Sequence, residues 1–362
     1  MYGRLGLIMA LATPLPVFAS EVETSAGMLR ISPLVTGLTE PWGLAILPGG
    51  AVLITERDGR LLRAEGGAFA DVSGVPAVYA EGQGGLLDVM VPRDFATSRE
   101  VWLTYSVPVG TGSATAVGKG VLSADGTRID GFTQVFAGDE MPDARHFGSR
   151  LVEAGDGTVF VTTGDRGTGP DGTHAQDPSR LEGKVIHLNR DGSPATRLPG
   201  ARPGVFSTGH RNSQGATLGP DGALWLVEHG ARGGDEVNRV EAGRNYGWPV
   251  ISYGVNYNGD ALGVGQAQDG MEQPMHYWDP SIAPSGLLFY DGGRMSDWQG
   301  DLFTGSLNSD FIGRLDVDNG FAEERIAAPE TGRVRDVVQG PDGSIWFLSM
   351  TDGALYRMGP ED

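Results

Sequence analysis

His146 and Asp165 are the two residues of this chain best placed to move a proton. They bracket the stretch RHFGSRLVEAGDGTVFVTTGD, which reads as two short strands joined at Asp156-Gly157. An Asp-Gly turn between β-rich runs returns the chain alongside itself, so residues about equally far from the turn finish as neighbours. His146 and Asp165 are therefore expected at one end of a hairpin. A histidine beside a carboxylate is the usual pairing for a general base, because the carboxylate fixes the tautomer and stabilises the imidazolium that forms. The bland alternative is a histidine hydrogen-bonded for structural reasons.

A second chemistry is positive charge. The turns at Gly157 and Gly222 are 65 residues apart, and the same step carries His146 to Arg211 and Asp165 to Gly230. Arg211, Arg333 and Arg335 facing one axis would repel one another in an empty site, which points to an anionic ligand. Arginine's planar fork suits carboxylates, so a ligand with several carboxylates would fit. The alternative is pairing with local acids such as Asp88 and Asp336. The stretch EHGARGGDEVNRV adds a candidate cation site, since glycine-rich carbonyls with Asp235 and Glu236 nearby are the hard oxygen ligands Ca²⁺ prefers. Its alternative is a solvated acidic turn. Zinc-type spacing, a dinucleotide fingerprint and a serine-hydrolase elbow do not occur.

Something must bring these residues together. LPGGAVLIT, AGDGTVFVT, GPDGALWLV and GPDGSIWFL share one grammar, a tight turn followed by an apolar strand. Their spacing fits a unit of about 60 residues with two further copies, from Val91 and from Gly286. Six units predict an all-β, six-bladed β-propeller. The segments before each first strand, TEPWG, EGQGG, ARHFG, GHRNSQG, SIAPSG and GRVRD, should then converge at one end of the axis. Gln83, His146, Asp165, Arg211, Asn212, Ser281, Arg333 and Arg335 would form a polar bowl there.

Composition agrees. The 362 residues include 58 Gly and 22 Pro, many turns for one chain, and 40% are hydrophobic, enough for a large core. A net charge of −19 argues against a nucleic-acid partner, which needs clustered Lys and Arg. The first residues, MYGRLGLIMALATPLPVFAS, carry Arg4, an apolar run and a Val17/Ala19 cleavage pattern, so residues 1–19 read as a signal peptide and 20–362 as a single propeller domain. The run is too short to span a bilayer, so the exported protein is expected not to be membrane-embedded. With no cysteine, no disulfide or thiolate metal site is available.

The ordered segments PWGLAILPGG, GQGGLLDV, RHFGSRL, TTGDRG, GHRNSQG, EHGARGGDE, NYGWP, IAPSG and GRVRDV resemble those of the PQQ-dependent soluble aldose sugar dehydrogenases of the glucose/sorbosone dehydrogenase family, across nearly the whole chain. The resemblance implies a periplasmic quinoprotein that binds pyrroloquinoline quinone (PQQ) with Ca²⁺. It would oxidise the C1 hydroxyl of aldose sugars to lactones and pass electrons to a periplasmic acceptor such as a cytochrome or quinone. By position, His146 would take the hydroxyl proton while hydride passes to the quinone, Asp165 would support His146, and Arg211 would stabilise negative charge on the quinone oxygen. Gln83, Asn212, Ser281, Arg333 and Arg335 would hold the cofactor. The main-chain oxygens of Gly230 and Ala231 would ligate its Ca²⁺, and Glu236 with the Tyr246 carbonyl resembles a second, structural Ca²⁺ site. Two positions depart from the pattern: Asn308 stands where relatives commonly carry a lysine, and Ala231 replaces a frequent proline. The alternatives are a Ca²⁺-dependent propeller lactonase, which would want side-chain carboxylates on an axial metal, and a non-catalytic sugar-binding propeller.

Overall fold

A computed structural model describes residues 19–169 and 172–361; the expected leader lies outside the described residues apart from Ala19. Each repeat found in the sequence joins the first two strands of a separate antiparallel sheet. Pro41–Ile46 turns into Val52–Glu56, Leu86–Met90 into Glu100–Val109, and Leu151–Glu153 into Val159–Thr163. Ser213–Leu218 turns into Leu224–Glu228, Pro284–Phe289 into Leu302–Ser306, and Val334–Gln339 into Ile345–Ser349. Tight turns of this kind need a left-handed residue, which Gly157, Gly222 and Gly343 provide at φ of 84°, 77° and 78°.

Adjacent first strands pack against one another in a ring, giving the six-bladed β-propeller expected from the repeat. Five of the second strands are buried at every position, because neighbouring blades cover both faces. That explains why they read as continuous apolar runs rather than strict alternations. Leu53 and Leu61 meet Leu86 and Leu103 between the first two blades, and Leu348 and Leu355 meet Ile54 and Leu62 where the last blade meets the first. Similar seams join the other neighbours.

The last blade holds a feature absent from the sequence reading. Its sheet has five strands, with Gly27–Thr36 pairing antiparallel to Ala354–Gly359 and Ser20–Thr24 forming the outer edge. Joining the two ends of the chain in one sheet closes the ring and hides edges that would otherwise stay open.

Backbone strain gathers at one end of the axis. Glu40, His146, Ala283 and Arg333 sit at or just before the starts of four first strands, with φ of 45°, 50°, 54° and 45°. Non-glycine residues in that region cost on the order of 1–3 kcal/mol each and persist where the surroundings hold them, often at functional sites.

If the shared blade closes the ring, its N-terminal strand carries real stability. Ile31 is fully buried against the Phe347 and Tyr356 layer, so Ile31→Ala should cost about 2–5 kcal/mol in urea unfolding. A change within experimental error would show that this strand only decorates a ring closed without it.

Candidate active site

The six strand starts surround a cavity of about 400 Å³ on the axis. Trp42, Gln83, Phe147, Asn212, Ala283 and Arg335, one from each blade, all line it. The segments singled out in the sequence therefore meet.

His146 and Asp165 lie at the end of their hairpin, with Nδ1 and Oδ1 2.6 Å apart. The backbone N–H of His146 donates to Gln83 Oε1 at 2.8 Å, tying two blades at the base of the ring. Asp165 is fully buried, and it also accepts from the Gly167 N–H and from Trp248 Nε1 at 2.8 Å. Burial pushes its carboxyl up, but the His146 hydrogen bond and the His146 and Arg211 charges outweigh this and hold it below the usual range. Burial, aided by the Arg211 charge, lowers the His146 imidazole against the pull of Asp165. Both directions favour a neutral imidazole beside an ionised carboxylate. With Nδ1 held by Asp165, Nε2 makes no hydrogen bond among the described residues, so it is the nitrogen left to accept a proton.

Arg211 lies behind this pair. Its guanidinium donates to the His229 carbonyl and to Tyr257 Oη, and it packs over the Trp248 ring at 5.0 Å. Its Nε is buried without a partner. Arg335 donates to Gln214 Oε1 at 2.8 Å, and Arg333 to the Leu307 carbonyl. Among the described residues, none of these three arginines has a carboxylate within ion-pair distance. Burial, then the charges of Arg150 and Arg333, push the Arg335 guanidinium down to about 9, still cationic at neutral pH.

The acids the sequence suggested as partners are taken by another arginine. Arg150 is buried between Asp88 and Asp336, at 3.2 and 3.0 Å, and donates to the Arg335 and Gln214 carbonyls. Burial pushes the Asp88 carboxyl up to about 6 against the pull of Arg150. The Arg150 and Arg335 guanidiniums both pack over the Trp42 ring, at 4.4 and 5.4 Å from its centre. Arg150, Trp42 and Trp248 were missed as site residues although they sit in the quoted segments RHFGSRL, TEPWG and NYGWP. Trp42 and Arg150 lie at first-strand starts, which was their signal; Trp248 lies between Asp235–Val240 and His276–Trp278 and had none of this kind.

Two expected roles need correction. Ser281 does not face the bowl: its hydroxyl donates to Asp235 Oδ1 and accepts from the Gly233 N–H, while Ala283 lines the cavity instead. Asp235 is not free for a cation, because it accepts from the N–H groups of Gly230, Ile282 and Ala283 and so clamps two loops together. Gly230, Glu236 and Tyr246 do converge on one small cavity, with Glu228 beside them. Ala231 packs against the neighbouring cluster of Ala175, Trp248 and Leu262. Burial and the Glu228 charge push the Glu236 carboxyl up to about 8, and the Asn238 amide donates to it. Asn308 lines the axial cavity, its amide on the Ser281 carbonyl.

Residues 38–357 match the family described as Glucose / Sorbosone dehydrogenase. The chain is 40% identical to the aldose sugar dehydrogenase YliI of Escherichia coli, over 96% of this chain and 98% of that one. The crystal structure of the soluble aldose sugar dehydrogenase from Escherichia coli in its apo-form superposes with a TM-score of 0.86 at 39% identity, over 92% of this chain and 100% of that one. The PQQ-bound form of an aldose sugar dehydrogenase from Streptomyces coelicolor shares the fold, with a TM-score of 0.75 at 24% identity over 91% of this chain and 98% of that one. No helix among the described residues is long and apolar enough to cross a membrane. The propeller with its cationic axial bowl and buried His–Asp pair is therefore that of an oxidoreductase chain, and it belongs to the glucose/sorbosone dehydrogenase family.

Proposed function

We propose that this protein is an exported quinoprotein that oxidises the C1 hydroxyl of aldose sugars to lactones, using PQQ held in the axial bowl with Ca²⁺. One observation carries the reading: Arg335 and Arg333 line the bowl, and Arg211 stands beside it, all three without carboxylate partners among the described residues. A group bearing several carboxylates would relieve their repulsion, and the partnerless Arg211 Nε offers a donor for a ligand oxygen. Gln83 and Asn212 supply amide groups to the same space. Glu236, half-buried beside Glu228 with no basic side chain in ion-pair distance among the described residues, together with the Tyr246 carbonyl offers the hard-oxygen donors that a second, structural Ca²⁺ would take. The Ala231 carbonyl would join that of Gly230 on the cofactor's own Ca²⁺. When bound, PQQ supplies the hydride acceptor.

The protein's own part is to orient and polarise. Neutral His146 takes the C1 hydroxyl proton at Nε2. Asp165, fixed by Trp248 and the Gly167 N–H, holds Nδ1–H and stabilises the imidazolium. Arg211 presents fixed positive charge to developing negative charge nearby, a preorganised contribution of the kind that usually dominates. Asn308 leaves the rim with one cation fewer than the common family pattern. The electron acceptor is proposed to be a periplasmic cytochrome or quinone. The lactonase alternative is less well supported, because the axial carboxylates Asp88 and Asp336 are already engaged by Arg150.

The purified protein given PQQ and Ca²⁺ should reduce a redox dye with several aldoses, and failure to do so with any of them would refute the reading. In that assay His146→Ala should lose at least about 10²-fold in kcat while PQQ binding persists; near-full activity would remove His146 as the base. Arg335→Gln should instead weaken PQQ binding by about 10–100-fold, and an unchanged Kd would make Arg335 structural.

The pH profile provides a separate check. A base must be neutral to act, so kcat/KM should rise with pH through the His146 pKa, with a midpoint below the ordinary histidine value. Because the Arg211 charge helps lower it, the residual activity of Arg211→Gln should show that limb at higher pH. A shift the other way would contradict the assignment.

A further inference from the structure

We infer that Tyr257 is the platform on which the sugar ring rests, its exposed face taking the C–H side of a pyranose while the C1 hydroxyl reaches His146 Nε2; this rests on the proposed function. Tyr257 is a large aromatic residue left 67% exposed. Its position is nevertheless fixed. The phenol oxygen accepts from Arg211 Nη2 at 3.1 Å, and the Arg211 guanidinium lies 5.9 Å from the ring centre. Arg211 in turn packs over Trp248, which donates to Asp165, which holds His146. A continuous chain of contacts thus links the exposed ring to the proton acceptor.

The backbone beneath Tyr257 is also anchored. Val255 exchanges two hydrogen bonds with Arg232 and bridges to Ala261, while the Asn256 N–H donates to the Asp260 carbonyl, so Tyr257 sits at the tip of a small hairpin. Of the seven exposed large hydrophobic residues among those described, five (Val255, Tyr257, Val264, Met275 and Tyr277) belong to the segment 255–277. The exposed large hydrophobic residues among those described are therefore concentrated on this one segment, and Tyr257 is its member bonded to the site. Arg145 immediately precedes the base and pairs with Asp143. An exposed aromatic face bonded to the site, together with a charged pair next to the base, suits a sugar, which has one apolar face and a polar rim.

Wild type, Tyr257→Phe and Tyr257→Ala, loaded with PQQ and Ca²⁺ and checked for equal melting temperatures, are compared for KM and kcat on D-glucose and D-xylose. Sugar contact is read separately by saturation-transfer NMR. The Ala variant should raise KM about tenfold with kcat changed less than about threefold, and the Phe variant, which keeps the ring, should stay within about twofold of wild type in both. An unchanged KM in the Ala variant overturns the inference, as does an equal loss in both variants, which would mean the hydroxyl acts through Arg211. If wild type oxidises no aldose, the functional reading fails by itself. Saturation transfer to glucose that disappears in the Ala variant then still upholds the platform, and transfer that persists rejects it.

Discussion

The site depends on an unequal sharing of charge at the propeller axis. Arg150 takes both axial carboxylates, Asp88 and Asp336, in one buried cluster. Arg335, Arg333 and Arg211 are thereby left facing or flanking the cavity with only neutral partners. Arg211 is buried and Arg335 half-buried, so holding these like charges near one another is costly, because desolvation and mutual repulsion add. The ring can hold them because its six seams bury apolar surface on all sides, and because the chain ends are locked together in the last blade. The resulting strain and charge favour a multiply anionic ligand in the bowl.

A second device connects the bowl to proton transfer. Asp165 is held by three donors from separate parts of the chain, so its carboxylate stays ionised despite burial, and His146 stays neutral beside it. Trp248 serves both sides, with its indole N–H on Asp165 and its ring beneath the Arg211 guanidinium. Base and cation are therefore positioned by one shared side chain rather than independently.

Much of this is legible in the sequence, for physical reasons. Turn chemistry repeats because each blade must reverse direction at the same point, and the hairpin symmetry about Asp156-Gly157 places His146 near Asp165 without knowledge of the rest. The convergence of TEPWG, EGQGG and their counterparts follows once six units close into a ring. What stays hidden is non-local. Arg335 and Asp336 are adjacent in sequence, yet the register shifts between Val334 and Asp336 and leaves Arg335 without a partner in the ladder, an irregularity of the kind that re-aims a side chain, so the aspartate meets Arg150 while the arginine meets the cavity. Ser281 reads as a bowl residue in the sequence, but Asp235, 46 positions earlier, takes its hydroxyl. The pairing of Gly27–Thr36 with Ala354–Gly359 joins opposite ends of the chain, and neither segment carries a local mark of its partner.

Calorimetric titration of the purified, Ca²⁺-loaded protein with PQQ and with its trimethyl ester tests the unpaired-arginine account most directly. The account predicts saturable one-to-one binding of the free acid and an affinity at least about 100-fold weaker for the ester, whose carboxylates are masked. Equal affinity for the two would contradict it.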